Sequence, residues 1–153
     1  MKTVSLTELE SQNGQEVGIS EWIEIPQSMI DRFAKATLDD QFIHLDSARA
    51  RAETFLDGSI AHGFLTLSLS SKMAMQCLPH IKNSVMTFNY GCDKLRFINP
   101  VYAGSRVRGR YLQTKIERKS DKQLIVHHTL TVEIEAKTRP ALVAEWQTMY
   151  FMA

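Results

Sequence analysis

His62–Pro79, HGFLTLSLSSKMAMQCLP, is apolar on almost every side. Phe64, Leu65, Leu67, Leu69, Met73, Ala74, Met75, Cys77 and Leu78 leave little polar face, and Lys72 is its only formally charged residue at neutral pH. Pro79 cannot continue a helix and stops the run. The stretch therefore predicts a central helix over His62–Leu78, buried on most sides. Its methionines read as core packing, not as a cofactor site.

Beyond that helix the period changes to two. From Ser84 on, Met86, Phe88 and Tyr90 share a parity; Leu130, Val132 and Ile134 alternate with Thr131, Glu133 and Glu135. Ala144, Trp146, Thr148 and Tyr150 line one face, and Gly104-Ser105 and Ser120-Asp121 supply turns. Four successive strands without an intervening helical pattern predict an antiparallel sheet. One buried helix followed by such a sheet makes an α+β domain, a helix wrapped by a curved sheet.

On the N-terminal side, Thr7–Gln12 predicts a short helix with Glu8 and Glu10 in its first turn. Ile19–Ile25 reads as one short strand. Met29, Ile30, Phe33 and Ala34 share one face of an amphipathic helix that follows Pro26 and ends near Thr37. That leaves Asp39–His44 in a loop, and Ser47–Ala52 as one or two helical turns behind a capping Asp46.

At 153 residues, without a Pro/Gly/Ser-rich linker, the chain predicts a single domain over 1–153, with 1–14 as an N-terminal extension. A net charge of +1 argues against nucleic-acid binding driven by bulk charge. No apolar run approaches the roughly 20 residues of a membrane span, and the first residues show no signal-peptide pattern. The expectation is a cytoplasmic protein without a membrane partner. Cys77 and Cys92 have no metal-type spacing and read as free thiols.

Asp39 stands five residues before His44. An acid and an imidazole on one short loop can hold a water between them. Downstream, Ala61-His62-Gly63 opens the apolar helix, whose first N–H groups face a developing oxyanion. Those are the parts needed to add water to, or remove it from, a carbon–carbon double bond beside a thioester carbonyl. Asp40, out of that spacing, reads as a loop cap or a solvent-facing residue.

The stretch Phe33–Gly63 resembles the MaoC-like, or R-specific enoyl-CoA hydratase (hydratase 2), family. That family's loop runs aromatic-x-x-small-Gly-Asp-x-Asn-Pro-aliphatic-His, with a small residue six positions later. Asp39, Ile43, His44 and Ala50 fall in register, while Leu38, Gln41 and Phe42 stand where the family has Gly, Asn and Pro. Ile60-Ala61-His62-Gly63 also looks like the family. The run Asn89–Val101, NYGCDKLRFINPV, is similar to a subgroup that includes nodulation protein N-like hydratases.

The resemblance implies a hot-dog fold and a homodimer that acts on an acyl-CoA or acyl-carrier-protein thioester. The implied reaction is reversible hydration of trans-2-enoyl-CoA to (R)-3-hydroxyacyl-CoA, with no metal or redox cofactor. Asp39 and His44 would be catalytic, and the Gly63 N–H would stabilise the thioester oxygen. Gln41 would offer an amide to the water or the acyl carbonyl, and His62 supporting hydrogen bonds. Ser71 matches a position that orients the catalytic loop, with simple packing as the other reading. Lys94 and Arg96 are candidate contacts for coenzyme A phosphates, whereas Arg106, Arg108 and Arg110 alternate as one solvated strand face. A 3-hydroxyacyl-carrier-protein dehydratase would use the same pair. The three loop departures support a further alternative, a non-catalytic acyl-CoA-binding hot-dog protein.

Overall fold

The computed structural model describes residues 2–153. Thr3–Val4 (β1) leads into Leu6–Glu10 (α1), which starts one residue earlier than its sequence suggests. The reason is a capping box at Ser5. Its Oγ accepts the Glu8 N–H at 3.2 Å, and the Glu8 carboxylate accepts the Ser5 N–H at 2.7 Å.

The strand expected over Ile19–Ile25 is two pieces, Glu16–Ile19 (β2) and Ile23–Glu24 (β3). Ser20 holds the gap together: its N–H donates to the Gly109 carbonyl and its Oγ accepts the Gly109 N–H, both at 2.9 Å. Gln27–Thr37 (α2) buries Ile30 and Ala34 on its apolar face. Residues 39–44 are not wholly a loop, because Phe42–Leu45 (α3) forms one helical turn. Ser47–Glu53 (α4) follows, with Asp46 Oδ1 accepting the Arg49 N–H at 2.9 Å as an N-cap.

The central helix comes as Gly63–Ser68 (α5) and Ser70–Cys77 (α6). Leu69 between them keeps helical angles (φ −72°, ψ −13°), and the Met73 N–H reaches its carbonyl at 2.9 Å. The axis therefore continues through the joint. The remaining strands are His80–Ile81 (β4), Ser84–Phe97 (β5), Arg106–Ser120 (β6), Gln123–Ile134 (β7) and Leu142–Met152 (β8).

The main sheet runs β2-β6-β7-β8-β5, with β3 also on β6, and every pairing in it is antiparallel. It curls around α5 and α6, which is the hot-dog arrangement. Three register shifts of β5 against β8 bend that edge strand. Tyr111, fully buried, donates its hydroxyl to the Ser70 carbonyl at 2.6 Å and so ties the sheet to the helix joint.

A second, smaller core closes the far end of the sheet. There β1 pairs parallel with β4, and Val4, Leu9 and Ile81 pack on Leu124 and Val126. The first residues are thus built into the domain. The central helix is less covered than its composition implies: Phe64 is 64% exposed and Met75 67% exposed. The uncovered flank adjoins β5, whose Val85, Phe88 and Tyr90 are also exposed. Cys77 and Cys92 are free thiols. Among the described residues no helix is long and apolar enough to cross a membrane.

His128, on the inner face of β7, lies between Tyr111 and Trp146, with ring centroids 5.9 and 6.1 Å away. Burial pushes its pKa down from 6.5 to about 4. Between those values the unfolded chain binds a proton that the folded chain does not. Stability should therefore fall as pH drops through that window, by roughly 3 kcal/mol in all. Thermal melts from neutral pH down to about pH 4 should show the slope. His128→Leu should remove most of it, leaving the smaller contributions of His44 and His127, whose pKa values are also lowered. An unchanged slope in that variant would exclude His128 as the cause.

Candidate active site

At the end of α2 the chain reverses through Leu38, which adopts a left-handed conformation (φ 62°, ψ 21°). A residue with a Cβ pays about 1–2 kcal/mol for that geometry, and this is the position where glycine was the family expectation. The reversal delivers Asp39, an exposed residue, to the mouth of a buried imidazole pair.

His44 is 7% exposed and His62 3% exposed. Their rings stack at 3.7 Å between centroids, with planes 24° apart. His44 Nδ1 lies 2.7 Å from the Ile60 carbonyl. A carbonyl only accepts, so Nδ1 carries the proton and Nε2 presents a lone pair. By the same argument His62 Nε2, at 2.9 Å from the Asp39 backbone carbonyl, carries the proton of that ring. The Asp39 carboxylate approaches His62 Nε2 at 4.0 Å. Side-chain ligand atoms of Asp39, His44 and His62 all lie within 4.8 Å of one another.

Gln27, Ser59 and Ile60 hold His44 in place, and the sequence pattern marked only the last of them. Gln27 Nε2 donates to the His44 carbonyl at 2.8 Å, and Ser59 Oγ donates to Gln27 Oε1 at 2.5 Å. The Ile60 N–H bonds the Ile43 carbonyl at 3.0 Å while its own carbonyl takes the His44 proton. A glutamine at the head of an amphipathic helix and a serine in a loop look like ordinary surface residues. Only the fold brings them to the histidine.

Burial is the main reason the His44 imidazole sits below its ordinary pKa. The bond to Ile60 opposes that shift, nearby His62 adds to it, and Asp39 opposes it. His44 is therefore neutral and basic at neutral pH. The trio has the residue types of a metal site. His44 Nδ1 and His62 Nε2 are each engaged by a backbone carbonyl, at 2.7 and 2.9 Å, which leaves one nitrogen of each ring uncommitted.

Gly63 begins α5, and the first N–H groups of a helix have no intrahelical acceptor. A Cβ there would lie 2.8–3.0 Å from the Phe97 ring, so any side chain at this position would have to displace Phe97. Phe97 also meets Phe64 edge to face at 5.6 Å. Together with Ile60, Ala61 and Val101 these residues line an apolar cleft of about 430 Å³ beside Gly63. The Ala61 N–H donates to the Val101 carbonyl at 2.7 Å, and Ile60 bridges Tyr102. The Asp93–Val101 run thus braces the head of the helix.

The other candidates are dispersed. Gln41 is exposed and supplies its backbone carbonyl to the His44 N–H at 3.0 Å, with no side-chain cap bond. Ser71 accepts a bond from Asn89 Nδ2 at 2.8 Å and lines grooves of about 290 and 400 Å³ between the helix and β5. It is not gathered with Asp39 and His44. Lys94 pairs with Glu145 at 2.6 Å, and Arg96 donates to the Leu95 carbonyl at 2.8 Å. Arg106 pairs with Glu135, Arg108 with Glu133 at 2.7 Å and Arg110 with Glu16 at 2.8 Å, the solvated face that their alternation suggests. Asp40 is exposed.

Residues 8–137 match the model of the MaoC like domain. The chain is 48% identical over 149 residues to nodulation protein N of Rhizobium leguminosarum bv. viciae, covering 97% of this chain and 92% of that protein. It is 39% identical over 141 residues to 3-hydroxyacyl-thioester dehydratase Z of Mycobacterium tuberculosis H37Rv, covering 92% of each. Among solved structures, an (R)-hydratase from A. caviae is similar with a TM-score of 0.69 at 28% identity, over 87% of this chain and 95% of that one. With the family match across most of its length and relatives this close, the chain belongs to the MaoC-like domain family.

Proposed function

We propose that this chain reversibly hydrates trans-2-enoyl-CoA to (R)-3-hydroxyacyl-CoA, with a water gripped by Asp39 and His44. The single observation that carries the reading is the fixed tautomer of His44. Its Nδ1 proton is committed to Ile60, so Nε2 is left as a proton acceptor, in a trio with Asp39 and His62 whose side-chain ligand atoms lie within 4.8 Å of one another. As the water oxygen bonds C3, the pair takes a proton from the water. The C2–C3 double bond opens toward the thioester, whose oxygen gains charge opposite the Gly63 N–H. A proton from the pair then reaches C2, so one water is consumed and the enzyme returns to its starting state. The roles of acid and base belong to the pair and not to either residue alone.

The chemistry calls for no metal or redox cofactor, and the substrate is a soluble thioester in the cytoplasm. The same steps run backward are a dehydration. The likeness to a 3-hydroxyacyl-thioester dehydratase favours that as a second reading of the same site, with coenzyme A or a carrier protein holding the acyl group. The (R)-hydratase likeness supports the stereochemistry.

Asp39→Asn and His44→Ala should each lower enoyl-CoA hydration by about 10²–10⁴-fold with little loss of substrate binding. The double variant should be scarcely slower than either single one, because the two act as a unit. Asp40→Asn should remain active. Loss of enoyl absorbance with crotonyl-CoA and a longer homologue measures all four; a dead Asp40→Asn beside a normal Asp39→Asn would sink the assignment.

We further propose a homodimer built on β5. Among the described residues this edge strand pairs only with β8, and it exposes Val85, Met86, Phe88 and Tyr90, a combination that a second copy would protect. Sedimentation at micromolar concentration should give a dimer, and a monomer alone would contradict this arrangement.

A further inference from the structure

His62 has no step in the proposed hydration, yet it touches both members of the pair. Its Nε2–H donates to the Asp39 backbone carbonyl at 2.9 Å, and its ring stacks on His44 at 3.7 Å. Phe33 of α2 closes against the ring at 5.0 Å. The residue is 3% exposed, whereas the Asp39 side chain is 55% exposed and follows the left-handed turn at Leu38. An exposed carboxylate just past such a turn has little of its own to hold it. The buried histidine supplies the hold.

Resting on the hydratase reading, we propose that His62 is a positioning residue that fixes Asp39 through one nitrogen and His44 through its ring face. Its chain position adds a third link. Gly63 is the next residue, so one rigid dipeptide sets the acid, the imidazole and the helix-head N–H at constant separations. Misplacement of such a group by about 1 Å can cost on the order of 10²-fold in rate.

The stack also acts on charge. The titratable groups facing His44 are Asp39 from the preceding loop and His62 from the head of α5; α2 contributes neutral Gln27, whose amide also bonds Asp31. A proton on His44 would place a cation against a buried ring with little water near it. His62 therefore keeps His44 a weaker base and, once protonated, a stronger acid. Taking the ring away should raise the His44 pKa toward its ordinary value.

Two substitutions separate these effects. His62→Gln brings an amide N–H to about the place of Nε2 and removes the ring. His62→Phe keeps a ring for His44 and removes the donor. In His62→Phe, kcat for crotonyl-CoA hydration should fall about 10- to 100-fold with KM little changed, and amide hydrogen exchange at residues 39–41 should quicken. In His62→Gln, kcat should recover most of that loss, while the acid limb of the kcat/KM profile and the His44 NMR titration both move to higher pH. If His62→Phe fails to melt cooperatively, His62→Asn, whose amide is too short to reach Asp39, takes its place.

Wild-type kcat and exchange in His62→Phe would overturn the proposal. So would equal losses in the Gln and Phe variants with an unmoved His44 titration, the pattern of a merely structural residue. Exchange and titration need no turnover. An inactive wild-type protein would therefore count against the hydratase reading alone, and those two measurements would still decide the role of His62.

Discussion

Met73 is wholly buried against Gly109, and a Cβ on that glycine would come within 3.1–3.2 Å of its sulfur and Cβ. Gly18 likewise leaves room for Cys77, whose sulfur would be 2.8 Å from an added Cβ. These two gaps in the sheet let α6 lie close enough for the Tyr111 hydroxyl to reach the Ser70 carbonyl. Close approach of helix and sheet is the constraint from which the rest follows. It fixes where the helix begins, and the helix head carries His62 and Gly63. The site is therefore positioned by packing about three turns away, at the other end of the same helix.

The apolar run and the change of period to two were enough to read the architecture, because both are local patterns that any buried helix and half-buried sheet must show. Asp39 and His44 were legible through their spacing and the resemblance around it. What stayed hidden depends on partners far along the chain. The break at Ser20 is explained by Gly109, 89 residues away, and the hold on His44 by Gln27 and Ser59. The helical turn at Phe42–Leu45 has no apolar repeat to announce it, being only four residues long. The open flank of the central helix escapes the sequence pattern for a different reason: an apolar surface says that it needs cover, not what covers it.

Charge follows a similar division. Arg106, Arg108 and Arg110 of β6 alternate onto the outer face, and each pairs with a glutamate: Glu135, Glu133 and Glu16. Such solvent-reached pairs contribute little to stability. They neutralise the outer surface, so electrostatic attraction for a phosphate is not their main effect. The energetically weighty polar contacts are the buried ones around His44, His62 and Tyr111, where water cannot substitute for a lost partner.

The order of strands in the sheet differs from their order in the sequence, and this governs how the chain can assemble. β8 lies between β7 and β5, with ten paired positions on each side. Until β8 leaves the ribosome, the fourteen residues of β5 have no neighbour in the sheet among the described residues. The wall beside Gly63 is then missing too, since Phe97 is placed by its pairing with Leu142. A nascent chain can form the β6–β7 hairpin early. It cannot close the cleft beside Gly63 before β8 has emerged.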